Sequence, residues 1–121
     1  MSKKILIVDD DPATVKFVSA NLEANGYEAF NARDGVEALR IIEKELPDLV
    51  VLDIMMPKID GYEVCRLLRE WSQIPVIMLS ARRDEEDKVK CLDVGADGLS
   101  KRTDHRPTIR ASLLERQIWE N

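Results

Sequence analysis

The chain has 121 residues, 45% hydrophobic and 34% charged, with a formal net charge of −5. That length suits one ordinary domain, and the composition fits a soluble globular chain and not a disordered one. The acidic balance argues against direct nucleic-acid binding, and no apolar run approaches the roughly 20 residues of a membrane span. The charge is uneven: residues 1–97 hold 13 Lys/Arg and 20 Asp/Glu, a sum of −7, whereas residues 98–121 hold 5 and 3, a sum of +2. Met1-Ser2-Lys3-Lys4 precedes only four apolar residues, too few for a signal peptide, so a cytoplasmic, non-membrane protein is expected. Cys65 and Cys91 form no CxxC or Cys/His pattern and are expected to be reduced packing residues.

Ile5-Leu6-Ile7-Val8 is wholly apolar, as suits a strand buried on both faces of a parallel sheet. Asp11-Pro12 reads as an N-cap with proline at the first helical position. Val15, Val18 and Leu22 recur at helical spacing until Gly26. Glu28 to Asn31 is a short second strand. Asp34-Gly35-Val36-Glu37 is a capping-box-like start, and Leu39, Ile42 and Leu46 are expected on one face of a helix ended by Pro47. Leu49-Val50-Val51-Leu52 is a third apolar strand. Asp60-Gly61-Tyr62-Glu63 repeats the cap, followed by an apolar face of Val64, Leu67, Leu68 and Trp71. Pro75 to Leu79 is a fourth strand. Asp84 opens a fourth helix, with Val89, Cys91 and Leu92 expected inward and Gly95 closing it.

This alternation implies a doubly wound α/β fold, with a parallel sheet and helices on both faces. Ligands of such folds sit beyond the carboxyl ends of the strands. Asp9-Asp10-Asp11 follows the first strand, Asp53 the third and Ser80 the fourth. Asp11 has a capping role; Asp9, Asp10 and Asp53 have none. Three carboxylates converging on one volume repel, and a hard divalent cation, Mg²⁺ before softer metals, removes the conflict. A carboxylate so neutralised can attack phosphorus, with a hydroxyl and a cation completing the phosphate contacts.

The sequence "ILIVDDDP" (5–12), "PDLVVLDIMMPKIDGYEVCRLLRE" (47–70), "IPVIMLSAR" (74–82) and "GAD" (95–97) resembles the response-regulator receiver domain, the CheY-like family, continuously over about residues 3–97. The style is most similar to receivers of winged-helix transcriptional regulators. The resemblance implies a five-stranded sheet of order 2-1-3-4-5 in a single domain spanning 1–121. It implies that Asp53 accepts a phosphoryl group from a histidine kinase, acting as a switch and not as a conventional enzyme. Asp10 matches the direct ligand of Mg²⁺ (or Mn²⁺), Asp9 the acid that holds it through water, and Met55 a ligand through its backbone carbonyl. Ser80 matches the hydroxyl that bonds the phosphoryl oxygen, Ala81 the small residue beside it, and Pro57 and Gly61 the turn after the acceptor strand. As partners it implies the kinase, a DNA-binding output domain that this sequence does not include, and a monomer or weak homodimer.

The match weakens after Asp97. Ser100-Lys101 fits the family's Ser/Thr-Lys pair if one residue is missing before it; without that gap Arg102 takes the phosphate-contacting place. Leu99 or Gly98 stands where the family has an aromatic switch residue, and Arg102-Thr103 replaces Pro-Phe. Ile109, Leu113, Leu114 and Ile118 could form a last helix delayed by Pro107, with Trp119 at its end; His105 reads as a surface residue. A divergent, re-routed or altered segment would each give this pattern, so a receiver-like binding module with impaired switching is one alternative. An aspartyl-nucleophile phosphohydrolase is another, weakened because Ala13 stands where its motif has Thr or Val. A flavodoxin-like nucleotide binder is weaker still, because three aspartates would repel phosphate.

Overall fold

A computed structural model describes residues 3–80 and 85–101, the side chains of Glu85, Ser100 and Lys101 excepted. The elements alternate: β1 (Lys4–Val8), α1 (Pro12–Ala24), β2 (Glu28–Ala32), α2 (Gly35–Glu45), β3 (Leu49–Asp53), α3 (Gly61–Arg69), β4 (Val76–Ser80), α4 (Glu85–Asp93) and β5 (Gly98–Lys101). The strands form one parallel sheet of order β2-β1-β3-β4-β5. The expected doubly wound fold and strand order are the ones observed.

Successive strand residues face opposite sides of a sheet. Here Leu6, Val8, Val50, Leu52, Val76 and Met78 pack against α2, α3 and α4. Ile5, Ile7, Leu49, Val51, Ile77 and Leu79 lie on the other side, with Val18 and Leu22 of α1. Because both sides of each central strand are buried, the runs are apolar without alternation. Three helices begin as the sequence predicts, with an aspartate side chain accepting an N–H of the first turn. Asp11 accepts from Ala13, Asp34 from Glu37 and Asp60 from Glu63. Gly26 and Gly95 take φ of +86°, the left-handed conformation that ends α1 and α4. No helix among the described residues is long and apolar enough to cross a membrane.

Four side chains expected inward are exposed. Leu46 caps α2 in the left-handed region, at φ 48°, and so leaves the helical face. Trp71 lies beyond the end of α3 and is half exposed. Val89 and Leu92 are 54% and 74% exposed, while Cys91 is buried. At about 100° per residue, Asp87, Cys91 and Val94 share one side of α4 while Val89 and Leu92 share the opposite one. The inner side therefore carries a carboxylate where simple amphipathicity would place an apolar residue. The suggested last helix, with Pro107, Ile109, Leu113, Leu114, Ile118 and Trp119, lies outside the described residues, as do Asp84 and His105.

Arg69 ties α3 to the α4–β5 turn. It donates to the carbonyls of Gly95, Ser72 and Ile74 and to Asp97 Oδ2, which also accepts the Val76 N–H. Both cysteines are buried free thiols. Burial pushes the Cys91 thiol up to about 11 from an ordinary 9.0 and raises Cys65 as well. The folded chain thus keeps protons that the unfolded chain releases. Their stabilisation is complete below about pH 9 and is lost as pH rises toward 11. In urea titrations the wild-type midpoint is expected to fall from neutral pH to about pH 10, and to fall less in Cys65→Ala/Cys91→Ala. Equal losses in the two proteins would contradict this.

Candidate functional site

Three adjacent parallel strands, β1, β3 and β4, deliver their carboxyl ends to one edge of the sheet. β1 runs directly into Asp9, β3 ends at Asp53 and β4 at Ser80. Asp9, Asp53 and Ser80 are 1%, 2% and 5% exposed, whereas Asp10 is exposed. Carboxylate oxygens of Asp9, Asp10 and Asp53 all lie within 4.8 Å of one another. The structure thus brings together the three acids singled out in the sequence.

Local hydrogen bonds position each group. Asp9 donates its N–H to Ala32 O (3.1 Å), and its Oδ1 accepts from the Asp11 N–H (2.9 Å). Asp11 itself accepts from Ala13 N–H and from Thr14 Oγ1, so its carboxylate is engaged in starting α1. Asp53 Oδ1 accepts from the Met55 N–H (3.2 Å), which sets the Met55 peptide beside Asp53 while its side chain is exposed. Gly61 donates to Ile54 O (2.8 Å). A Cβ on Gly61 would stand 2.5 Å from Asp53 O and 2.8 Å from Ile54 Cα, both main-chain atoms. Only glycine permits the start of α3 to approach the acidic strand end this closely. The intervening loop holds Pro57 and Lys58, the latter at φ 72° with its ammonium on Asp34.

Two unit charges at 4.8 Å repel by about 3 kcal/mol where the effective dielectric is near 20. Two of these three carboxylates are also withdrawn from water. An all-oxygen cluster of this kind suits a hard divalent cation rather than zinc or copper. Beside it, between α1 and the end of β2, opens a groove of about 530 Å³ that reaches Asp9 and Asp10.

Ser80 carries a connection that the sequence did not disclose. Its Oγ donates to Asp87 Oδ2 (2.9 Å), and Tyr62 OH donates to Asp87 Oδ1 (3.0 Å). Burial, then the bond to Asp87, raises the Tyr62 phenol well above its ordinary value, so it stays protonated and donating. Helical spacing from Cys91 could have revealed Asp87 as inward, but its partners lie 7 and 25 residues away in the chain. On the other flank of β4, Lys101 of β5 is in register with Ser80, and Leu99 with Met78. The Lys101 side chain, Arg102 and Ala81 lie outside the described residues.

A sequence profile of the response regulator receiver domain matches residues 5–112. The chain is 51% identical over 98 residues to the alkaline phosphatase synthesis transcriptional regulatory protein PhoP of Bacillus subtilis, covering 80% of this chain and 41% of that protein. It is 52% identical over 95 residues to the probable transcriptional regulator ycf27 of Cyanophora paradoxa, covering 78% and 40%. Among solved structures it resembles the BeF3-activated N-terminal receiver domain of Klebsiella pneumoniae RstA, at 32% identity and a TM-score of 0.85 over 92% of this chain and 95% of that one. It resembles the chemotaxis protein CheY4 of Vibrio cholerae at 33% identity and TM-score 0.85, over 96% and 98%. The chain belongs to the response regulator receiver domain family, the receivers of two-component signal transduction. Members of that family are phosphoacceptor switches rather than conventional enzymes. The chain spans about 40% of the length of the curated relatives it matches.

The Gly61 contact is testable. Gly61→Ala is expected to lower stability by about 1–3 kcal/mol, because a main-chain collision cannot be relieved by a rotamer change. Equilibrium urea unfolding checks it; a loss no greater than that of a surface Ala substitution would show that the approach to Asp53 tolerates a Cβ.

Proposed function

We propose that Asp53 is the phosphoacceptor of this receiver and that a histidine kinase is the donor. The observation that carries the reading is the cluster itself: a buried Asp53 carboxylate held with Asp9 and Asp10, beside the hydroxyl-bearing end of β4. Asp9, Asp10, Asp53 and the Met55 carbonyl would hold Mg²⁺, or Mn²⁺. When bound, the cation offsets the clustered negative charge and that of the incoming phosphoryl group. An Asp53 oxygen forms the new bond to phosphorus. The phosphorus–nitrogen bond of the phosphohistidine breaks in line with it, and the departing imidazole nitrogen keeps the electron pair and takes a proton. The chain's own part is placement: Met55 N–H fixes one Asp53 oxygen, and Gly61 lets the loop close behind it.

Ser80 and Lys101 would contact the remaining phosphoryl oxygens. The β5 register, with Lys101 opposite Ser80, supports Lys101 over Arg102 for the cationic role. The same groups would serve the slow hydrolysis of the acyl phosphate. The transcriptional role in the names of the curated relatives supports a DNA-binding output domain as the partner of this receiver. The phosphohydrolase reading remains weak, with Ala13 in its motif and no role for Asp53.

Incubation with Mg²⁺ and a small acyl-phosphate donor is expected to add one phosphoryl group, about 80 Da, by intact-mass measurement. The adduct should disappear in Asp53→Asn and in wild-type protein treated with a chelator. A wild-type chain without adduct, or an Asp53→Asn variant that keeps it, would contradict the assignment.

A further inference from the structure

The Tyr62–Asp87–Ser80 chain joins three elements through one carboxylate: α3 through a phenol, α4 through Asp87 itself and β4 through a hydroxyl. Its position is unusual for a helix whose apolar residues Val89 and Leu92 face outward. On the inner side of α4, Asp87 stands with Cys91 and Val94. Lys90 adds an ammonium 5.6 Å from the Tyr62 ring centre, and so a second contact between α4 and α3. Asp87 is therefore a principal polar tie of α4 to the rest of the domain.

A serine hydroxyl has one proton. In this structure it is directed to Asp87 Oδ2. A phosphoryl group on Asp53 is a second strong anionic acceptor for the same proton, and the two bonds exclude one another. We propose that Asp87 is a positioning residue that acts as a latch: in the unphosphorylated chain it holds Ser80 and Tyr62 together, and phosphorylation takes the Ser80 proton away and loosens α4. The proposal rests on the reading of Asp53 as phosphoacceptor. It gives this chain a path from the site to α4 that does not use an aromatic residue on β5, where Gly98 and Leu99 stand.

Two consequences follow from competition for a single proton. Removal of the competing acceptor makes the Ser80 hydroxyl available before phosphorylation, so Asp87→Ala should accept phosphoryl groups faster. Removal of only the phenol donor leaves Asp87 a stronger acceptor for Ser80, so Tyr62→Phe should not be faster than wild type. Damage to the fold alone would slow Asp87→Ala.

The experiment measures the rate of phosphoryl incorporation by intact mass, with Mg²⁺ and a small acyl-phosphate donor. Amide hydrogen exchange over residues 85–93 is followed in the same samples. The expected rate for Asp87→Ala is about five- to tenfold above wild type, the span of one ordinary net hydrogen bond. Tyr62→Phe is expected at or below the wild-type rate. Exchange in α4 should rise on phosphorylation in wild type, and should already be raised, and indifferent to phosphorylation, in Asp87→Ala. Equal or lower rates in Asp87→Ala, or α4 exchange that still rises on phosphorylation in that variant, overturn the latch while leaving Asp53 as acceptor. A wild-type chain that gains no adduct overturns the acceptor reading and the latch with it.

Discussion

The mutual repulsion of Asp9, Asp10 and Asp53 is the constraint around which the rest of this domain is arranged. A parallel sheet sends its strand ends to one edge, and the order β1-β3-β4 puts two acidic ends side by side with a serine next to them. Left alone, such a cluster would loosen that edge. The domain opposes this with a sheet core buried on both faces, with Asp9 and Asp53 each accepting a backbone N–H, and with a glycine that lets α3 begin directly against Asp53. A cluster of carboxylate oxygens so placed suits a hard cation.

Most of the fold was legible because its signals are local. Each central strand is a short apolar run, and each of the first three helices is announced by an aspartate whose side chain caps it. The acids of the site were legible for a related reason: Asp11 could be assigned to a cap, which left Asp9, Asp10 and Asp53 without a structural task. What escaped depends on which way a helix is turned. Leu46 and Trp71 continue an apolar pattern past the last helical turn, where the backbone has already left the helix. Val89 and Leu92 satisfy a helical spacing on the wrong side of α4. The helix is turned so that Asp87 meets Ser80 and Tyr62, partners 7 and 25 residues away in the chain that the spacing within α4 does not identify.

That rotation bears on how the domain communicates. The sequence assigns the reading of the phosphoryl group to Ser80 and Lys101, and the lack of an aromatic at Gly98 or Leu99 leaves the transmission of a signal without a visible carrier. The structure offers a different arrangement, in which the hydroxyl at the end of β4 is already bonded to α4 and, through it, to α3. Under the proposed latch, the chemistry at Asp53 and the packing of α4 share a single proton. A change of a fraction of an ångström at the acidic edge becomes a choice between two hydrogen bonds, and a choice of that kind is discrete.

The claim that the acidic cluster is a cation site is tested most directly by thermal unfolding as a function of Mg²⁺, with K⁺ at matched ionic strength as control. A ligand that binds only the folded chain stabilises it by RT ln(1 + [L]/Kd), so Tm climbs with ligand concentration. The account predicts that wild-type Tm climbs with Mg²⁺, and that Asp9→Asn and Asp53→Asn start from a higher Tm in its absence and gain little from it. A wild-type Tm indifferent to Mg²⁺, or an equal gain in all three proteins, would contradict it.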